Sequence, residues 1–162
     1  MSDVSRRTRI LVVDDEEIIR ESLTGWLQKD GYTLGAAPDG FTAVEEVRRS
    51  PWSILLVDLK MPGMDGLQVL EEVKKLQPDA AVVIMTAYAS QQSAIDAVNL
   101  GAFQYLIKNA KNEEIRVIVK NALEMRKVRN ENSYLKRELK RSHDEKTRSP
   151  PPSIAIRSSP SR

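Results

Sequence analysis

Five side chains spaced along this sequence carry groups suited to moving a phosphoryl unit: Asp14, Asp15, Asp58, Thr86 and Lys108. Each stands where a short apolar run stops. Ile10-Leu11-Val12-Val13 runs into Asp14-Asp15-Glu16-Glu17, Ile54-Leu55-Leu56-Val57 ends on Asp58, Ala80 to Met85 on Thr86, and Phe103 to Ile107 on Lys108. Singly, each has an ordinary explanation: helix-capping acids, a turn hydroxyl, a solvated lysine. Gathered at one edge, three carboxylates repel one another and raise each other's pKa unless a cation intervenes. Oxygen-only ligands of high charge suit Mg²⁺, which keeps several waters and is commonly shared with a phosphate. A hydroxyl and an ammonium opposite would meet the oxygens of a phosphoryl group on Asp58. The chemistry is in-line transfer to a carboxylate nucleophile, with metal and lysine neutralising charge.

That convergence requires a particular scaffold. The continuous apolar runs read as strands buried on both faces. Between them lie helical stretches: Ile19, Leu23, Trp26 and Leu27 mark one face, Phe41, Val44 and Val47 point inward on the next, Leu67, Leu70 and Val73 mark the third, and Ala94, Ile95 and Val98 are the apolar residues of the fourth. Tyr32 to Ala37 is a weaker strand, and Gly31, Pro51, Pro78 and Gly101 punctuate the alternation. Five strands alternating with five helices predict a doubly wound α/β fold around a five-stranded parallel sheet, flavodoxin-like order 2-1-3-4-5. In such sheets ligands gather at the carboxyl ends of the strands, where Asp14, Asp15, Asp58, Thr86 and Lys108 lie.

Composition narrows the class. The 162 residues are 41% hydrophobic and 30% charged, as in soluble globular proteins. With no cysteine and a single histidine, His143, neither disulfides nor thiolate or His-rich metal sites are expected. No apolar run could cross a bilayer and no signal peptide is visible, so a cytoplasmic protein without membrane contact is expected. Residues 1–125 carry 14 Lys+Arg against 19 Asp+Glu, whereas 126–162 carry 11 against 4. Tyr134 is the lone aromatic of that basic tail, so it reads as a solvated helix face, and direct nucleic-acid binding by this chain is not expected.

The motifs Leu11-Val12-Val13-Asp14-Asp15-Glu16, Leu56-Val57-Asp58-Leu59-Lys60-Met61-Pro62-Gly63-Met64-Asp65-Gly66, Met85-Thr86-Ala87 and Gly101 through Lys108 together resemble the CheY-like receiver domain of two-component response regulators, over about residues 8–122. The resemblance implies that Asp58 accepts phosphate from the histidine of a sensor histidine kinase. It implies Mg²⁺ held by Asp15, Asp58 and the backbone carbonyl of Lys60, with Asp14 acting through water. It also implies that Thr86 and Tyr105 form a switch pair, Tyr105 turning inward as Thr86 bonds the phosphoryl group. One departure stands out: Asn109 and Ala110 follow Lys108 where the family usually has a proline on a cis peptide. A cis bond before a non-proline residue costs about 2.5–4 kcal/mol, so this loop can be trans and aim Lys108 differently.

The last helix, predicted over about 112–142, shows apolar and polar seam residues spaced three and four apart: Ile118, Asn121, Met125, Val128, Asn132, Leu135 and Leu139. With Ile118 at a, Asn132 is a polar a-position residue, and Glu124, Glu131 and Glu138 at g can meet Arg129, Lys136 and His143 at e. The expectation is a parallel homodimer through this coiled-coil linker. Its sequence is similar to the linker of NtrC-like, sigma-54-dependent enhancer-binding activators, which implies a role in transcription regulation. No G-x-x-x-x-G-K-[ST] is present, so the chain reads as receiver plus linker, either a regulatory fragment or a stand-alone regulator, with a disordered Ser/Pro/Arg tail over 143–162. Two alternatives stay open: a phosphate-independent dimeric adaptor, and a phosphohydrolase with an aspartyl nucleophile. Haloacid dehalogenase enzymes of the latter kind carry D-x-D after the first strand rather than an isolated Asp on the third.

Overall fold

The structure is a computed structural model that describes residues 8–108 and 111–148; along the last helix, side chains are described through Val128 and at Leu135, Lys136, Glu138 and Leu139. The elements are β1 (Arg9–Val13), α1 (Glu17–Gln28), β2 (Thr33–Ala37), α2 (Gly40–Arg49), β3 (Ile54–Asp58), α3 (Gly66–Leu76), β4 (Ala81–Thr86), α4 (Gln91–Asn99), β5 (Gln104–Ile107) and α5 (Asn112–Arg148). All strand pairs are parallel and the order is β2-β1-β3-β4-β5, the doubly wound arrangement expected. The fold is CheY-like.

Side chains alternate across the sheet and build two cores. Leu11, Val13, Leu55, Val57, Val82 and Ile84 meet α2, α3 and α4 through Val47, Val69, Leu70, Val73 and Ala97. Ile10, Val12, Ile54, Leu56, Val83 and Met85 meet α1 and α5 through Leu23, Leu27, Ile115, Val119 and Ala122. Burial on both faces is what made β1, β3 and β4 read as unbroken apolar runs.

One helix face differs from expectation. Phe41 is 58% exposed, because Ala43, Val44 and Val47 define the buried face of α2 and Phe41 lies well off it around the helix. Its ring instead covers the Gly63 turn, whose φ is +82°. On α4 Ala97 faces the core, while Ile95 and Val98 point outward, Val98 being 68% exposed. The small Ala97 lets α4 lie close to the edge of the sheet, and Ser93, Ala94 and Leu100 flank it.

The helix α5 is described to Arg148, past the end expected near Ser142. No glycine or proline occurs between Asn112 and Arg148 to interrupt it. The chain divides into two compact units, Met1–Arg126 and Lys127–Arg162. In the first, Arg116 ties α5 to α1 and the turn after it, lying over the Trp26 ring and donating to Asp30 at 2.9 Å. Of the expected seam, Met125, Val128, Leu135 and Leu139 are all substantially exposed. The Asn132 side chain, and the peptide joining Lys108 to Asn109, lie outside the described residues.

Candidate functional site

Strand register sets the site. Val13 on β1 pairs with Val57 on β3. One step further on stand Asp14 and Asp58, so the two carboxylates leave adjacent strands side by side. Asp58 pairs with Met85 and Thr86 with Ile107, which brings Thr86 and Lys108 to the same edge. The Lys108 amide then donates to the Thr86 carbonyl at 2.7 Å.

The Lys108 ammonium bridges the acids, 2.8 Å from Asp14 Oδ2 and 3.3 Å from Asp58 Oδ1, with Glu16 at 4.0 Å. Asp14 is fully buried. Its Oδ1 accepts from the Glu16 amide at 2.9 Å, and Arg20 donates to its carbonyl at 2.7 Å. Asp58 is 4% exposed, whereas Asp15 and Glu16 are open to solvent. Burial, then the Asp14 charge, push the Asp58 carboxyl up to about 6; Lys108 pulls it down, and hydrogen bonding with Asp15 raises it again. Burial works against the Lys108 ammonium, but the hydrogen bond and charge of Asp14, then those of Asp58, outweigh it and raise its pKa. The shorter contact goes to Asp14, so Asp58 is the carboxylate left undercompensated.

The loop after β3 is fixed by backbone. Leu59 donates to the Met85 carbonyl at 2.7 Å and Gly66 to the Leu59 carbonyl at 2.8 Å. A Cβ on Gly66 would lie 2.5 Å from the Asp58 carbonyl oxygen, so no larger residue fits without moving the chain. Asp65 and Gln68 close a reciprocal capping box that starts α3. Lys60 lies exposed between these anchors, on the loop that leaves Asp58.

Thr86 is 1% exposed, and its hydroxyl is engaged with its own turn: it accepts from the Tyr88 amide at 3.1 Å and lies 3.2 Å from the Tyr88 carbonyl. Tyr105 is half-buried against the α3–α4 core, its hydroxyl 2.6 Å from Ser93 Oγ. The structure thus brings Asp14, Asp15, Asp58 and Lys108 into one cluster and sets Thr86 at its rim. Sequence reasoning missed Glu16, Arg20, Gly66 and Ser93. Glu16 could have been found as the third acid of one run, and Ser93 as the distal serine of a Ser-x-x-Ser helix start.

The donor chemistry fits a hard divalent cation. One oxygen each from Asp14, Asp15 and Glu16 can lie within 4.8 Å of one another. The buried Asp14 Oδ2 is met by the Lys108 ammonium at 2.8 Å, so a metal ion entering here would share or displace that contact.

A family model for the response regulator receiver domain matches residues 10–120. The chain is 34% identical over 134 residues to the regulatory protein AtoC of Escherichia coli K12, covering 83% of this chain and 29% of AtoC. A CheY-like receiver domain protein from Methanospirillum hungatei superposes with a TM-score of 0.74 at 28% identity, over 75% of this chain and 98% of that one. The beryllofluoride-activated receiver domain dimer of NtrC4 does so with a TM-score of 0.70 at 31% identity, over 73% and 98%. The chain therefore belongs to the two-component response regulators, with a receiver domain as its regulatory module. It spans less than a third of AtoC's length. Receiver membership sets the phosphohydrolase alternative aside, because the matched module is regulatory. Among the described residues no helix is long and apolar enough to cross a membrane.

Proposed function

We propose that Asp58 is the phosphoryl acceptor of a cytoplasmic signalling switch charged by a sensor histidine kinase. The observation that carries this reading is a buried carboxylate at the carboxyl end of the central strand, 3.3 Å from Lys108, its pKa raised by burial and then by the Asp14 charge. An Asp58 oxygen attacks the phosphorus, a P–O bond forms, the P–N bond to the kinase histidine breaks, and the imidazole leaves with the electron pair and takes a proton. Lys108 reaches the oxygens of the arriving phosphoryl group, and Thr86 supplies the hydroxyl that bonds one of them afterwards. Asp14, Asp15, Asp58 and the Lys60 carbonyl would hold Mg²⁺, directly or through water, and the ion would supply the positive charge that lets acceptor and phosphoryl oxygens approach.

Thr86 and Tyr105 are the residues through which the charge change reaches α4, β5 and α5. The output is control of a parallel dimer through α5, with Met125, Val128, Asn132, Leu135 and Leu139 as its seam. Likeness to AtoC, named a regulatory protein, and to the NtrC4 receiver dimer supports a place in transcription regulation. The test is incubation of the full chain with acetyl phosphate and Mg²⁺, read by intact mass. One phosphoryl addition to the wild type and none to Asp58→Asn is expected; equal addition to both would overturn the reading.

A further inference from the structure

In this geometry both hydroxyls of the switch are already committed, and neither is committed to Asp58. The Thr86 hydroxyl is closed onto Tyr88. The Tyr105 hydroxyl is closed onto Ser93, which lies in the first turn of α4. Ser93 is itself bound to the cap of that helix: its amide donates to Ser90 Oγ at 3.1 Å, its Oγ lies 2.7 Å from Ser90 Oγ, and it donates to the Ser90 carbonyl at 3.2 Å. A serine has a single hydroxyl proton. With that proton given to the Ser90 carbonyl, the Tyr105 phenol donates to Ser93.

We propose that Ser93 is a positioning residue for the switch: its hydroxyl holds Tyr105, and with it the start of α4, in the unphosphorylated arrangement. This rests on the reading of Asp58 as phosphoryl acceptor and deepens it. To donate to a phosphoryl oxygen the Thr86 hydroxyl must take its single proton away from the Tyr88 carbonyl. That carbonyl lies two residues before the Ser90 cap, so its release loosens the turn that fixes Ser90, and Ser90 is what orients Ser93. The path from Thr86 to Tyr105 therefore runs Tyr88, Ser90, Ser93 through hydrogen bonds, in addition to any direct contact between the two side chains. A bond present in one state and absent from the other biases the equilibrium between them by its own net strength.

The test is the affinity of the full chain for beryllofluoride with Mg²⁺, in wild type, Ser93→Ala, Ser93→Thr, Tyr105→Phe and the Ser93→Ala/Tyr105→Phe double variant. Losing one hydrogen bond from the unphosphorylated state alone tightens binding about 2- to 12-fold. Ser93→Ala and Tyr105→Phe should each do so, the double variant should go no further than either, and Ser93→Thr should return to wild type. The Tyr105 ring resonances should move in Ser93→Ala before any beryllofluoride is added. Unchanged or weaker binding in Ser93→Ala, or additive effects in the double variant, overturns the proposal. If the wild type binds no beryllofluoride, the acceptor reading fails, and unmoved Tyr105 resonances in Ser93→Ala then overturn the Ser93 proposal separately.

Discussion

Replacing Asp58 with asparagine should make the metal-free protein more stable, and only where the carboxylate would be charged. Folded, this aspartate titrates near 6; its ordinary value is 3.8. A carboxyl whose pKa is raised by folding binds more protons folded than unfolded between those values, so stability falls as pH rises through that window. Its contribution is fully present below about pH 4 and has gone above about pH 7, a loss on the order of 3 kcal/mol. Asparagine keeps the shape without the charge but gives up part of the Lys108 contact. The expected gain is therefore roughly 1–3 kcal/mol near pH 8, or about 4 °C in Tm per kcal/mol for a domain of this size. Urea unfolding of wild type and Asp58→Asn, in chelator, from about pH 4 to about pH 8 measures it. The gap should open with pH, and added Mg²⁺ should narrow it by stabilising the wild type through mass action. Equal stability at high pH, or a gap that widens towards acid, would refute the electrostatic argument.

Three further outcomes follow from the same geometry. Lys108→Ala removes the ammonium from Asp14 and Asp58; it should destabilise the metal-free chain by about 2–4 kcal/mol and raise its Mg²⁺ affinity, since ion and lysine compete for the same oxygens, as calorimetric titration would show. Gly66→Ala forces a Cβ against the Asp58 carbonyl and should cost about 1–3 kcal/mol in urea unfolding while slowing phosphorylation by acetyl phosphate. Leu135→Lys places a charge on the proposed seam and should convert a sedimenting dimer into a monomer, with Asp58 phosphorylation unchanged.

The sheet was legible because its central strands are buried on both faces. Continuous apolar runs such as Ile54 to Val57 and Ala81 to Met85, each only a few residues long and closed by a polar side chain, read as strands buried on both faces. The cluster was legible for the same reason: once each strand end is located, the 2-1-3-4-5 order alone brings Asp14, Asp58, Thr86 and Lys108 to one edge. Helix faces were less so. On α4 the pattern of Ala94, Ile95, Ala97 and Val98 admits two inward faces, and packing against the sheet, not hydrophobicity, selects Ala97. Phe41 shares the spacing of Val44 and Val47 yet lies off the buried face and covers a glycine turn. The pairing of Ser93 with Tyr105 could not be read at all, since it depends on how α4 sits against β5.

The claim beneath all of this is that Asp58, and no other carboxylate of the cluster, takes up the phosphoryl group. Its sharpest test is borohydride reduction after acetyl phosphate treatment, followed by peptide sequencing, because an acyl phosphate on an aspartate is reduced to homoserine. Homoserine at position 58 alone, dependent on Mg²⁺, is the predicted result. Homoserine at position 14 or 15, or none at any position, would contradict it.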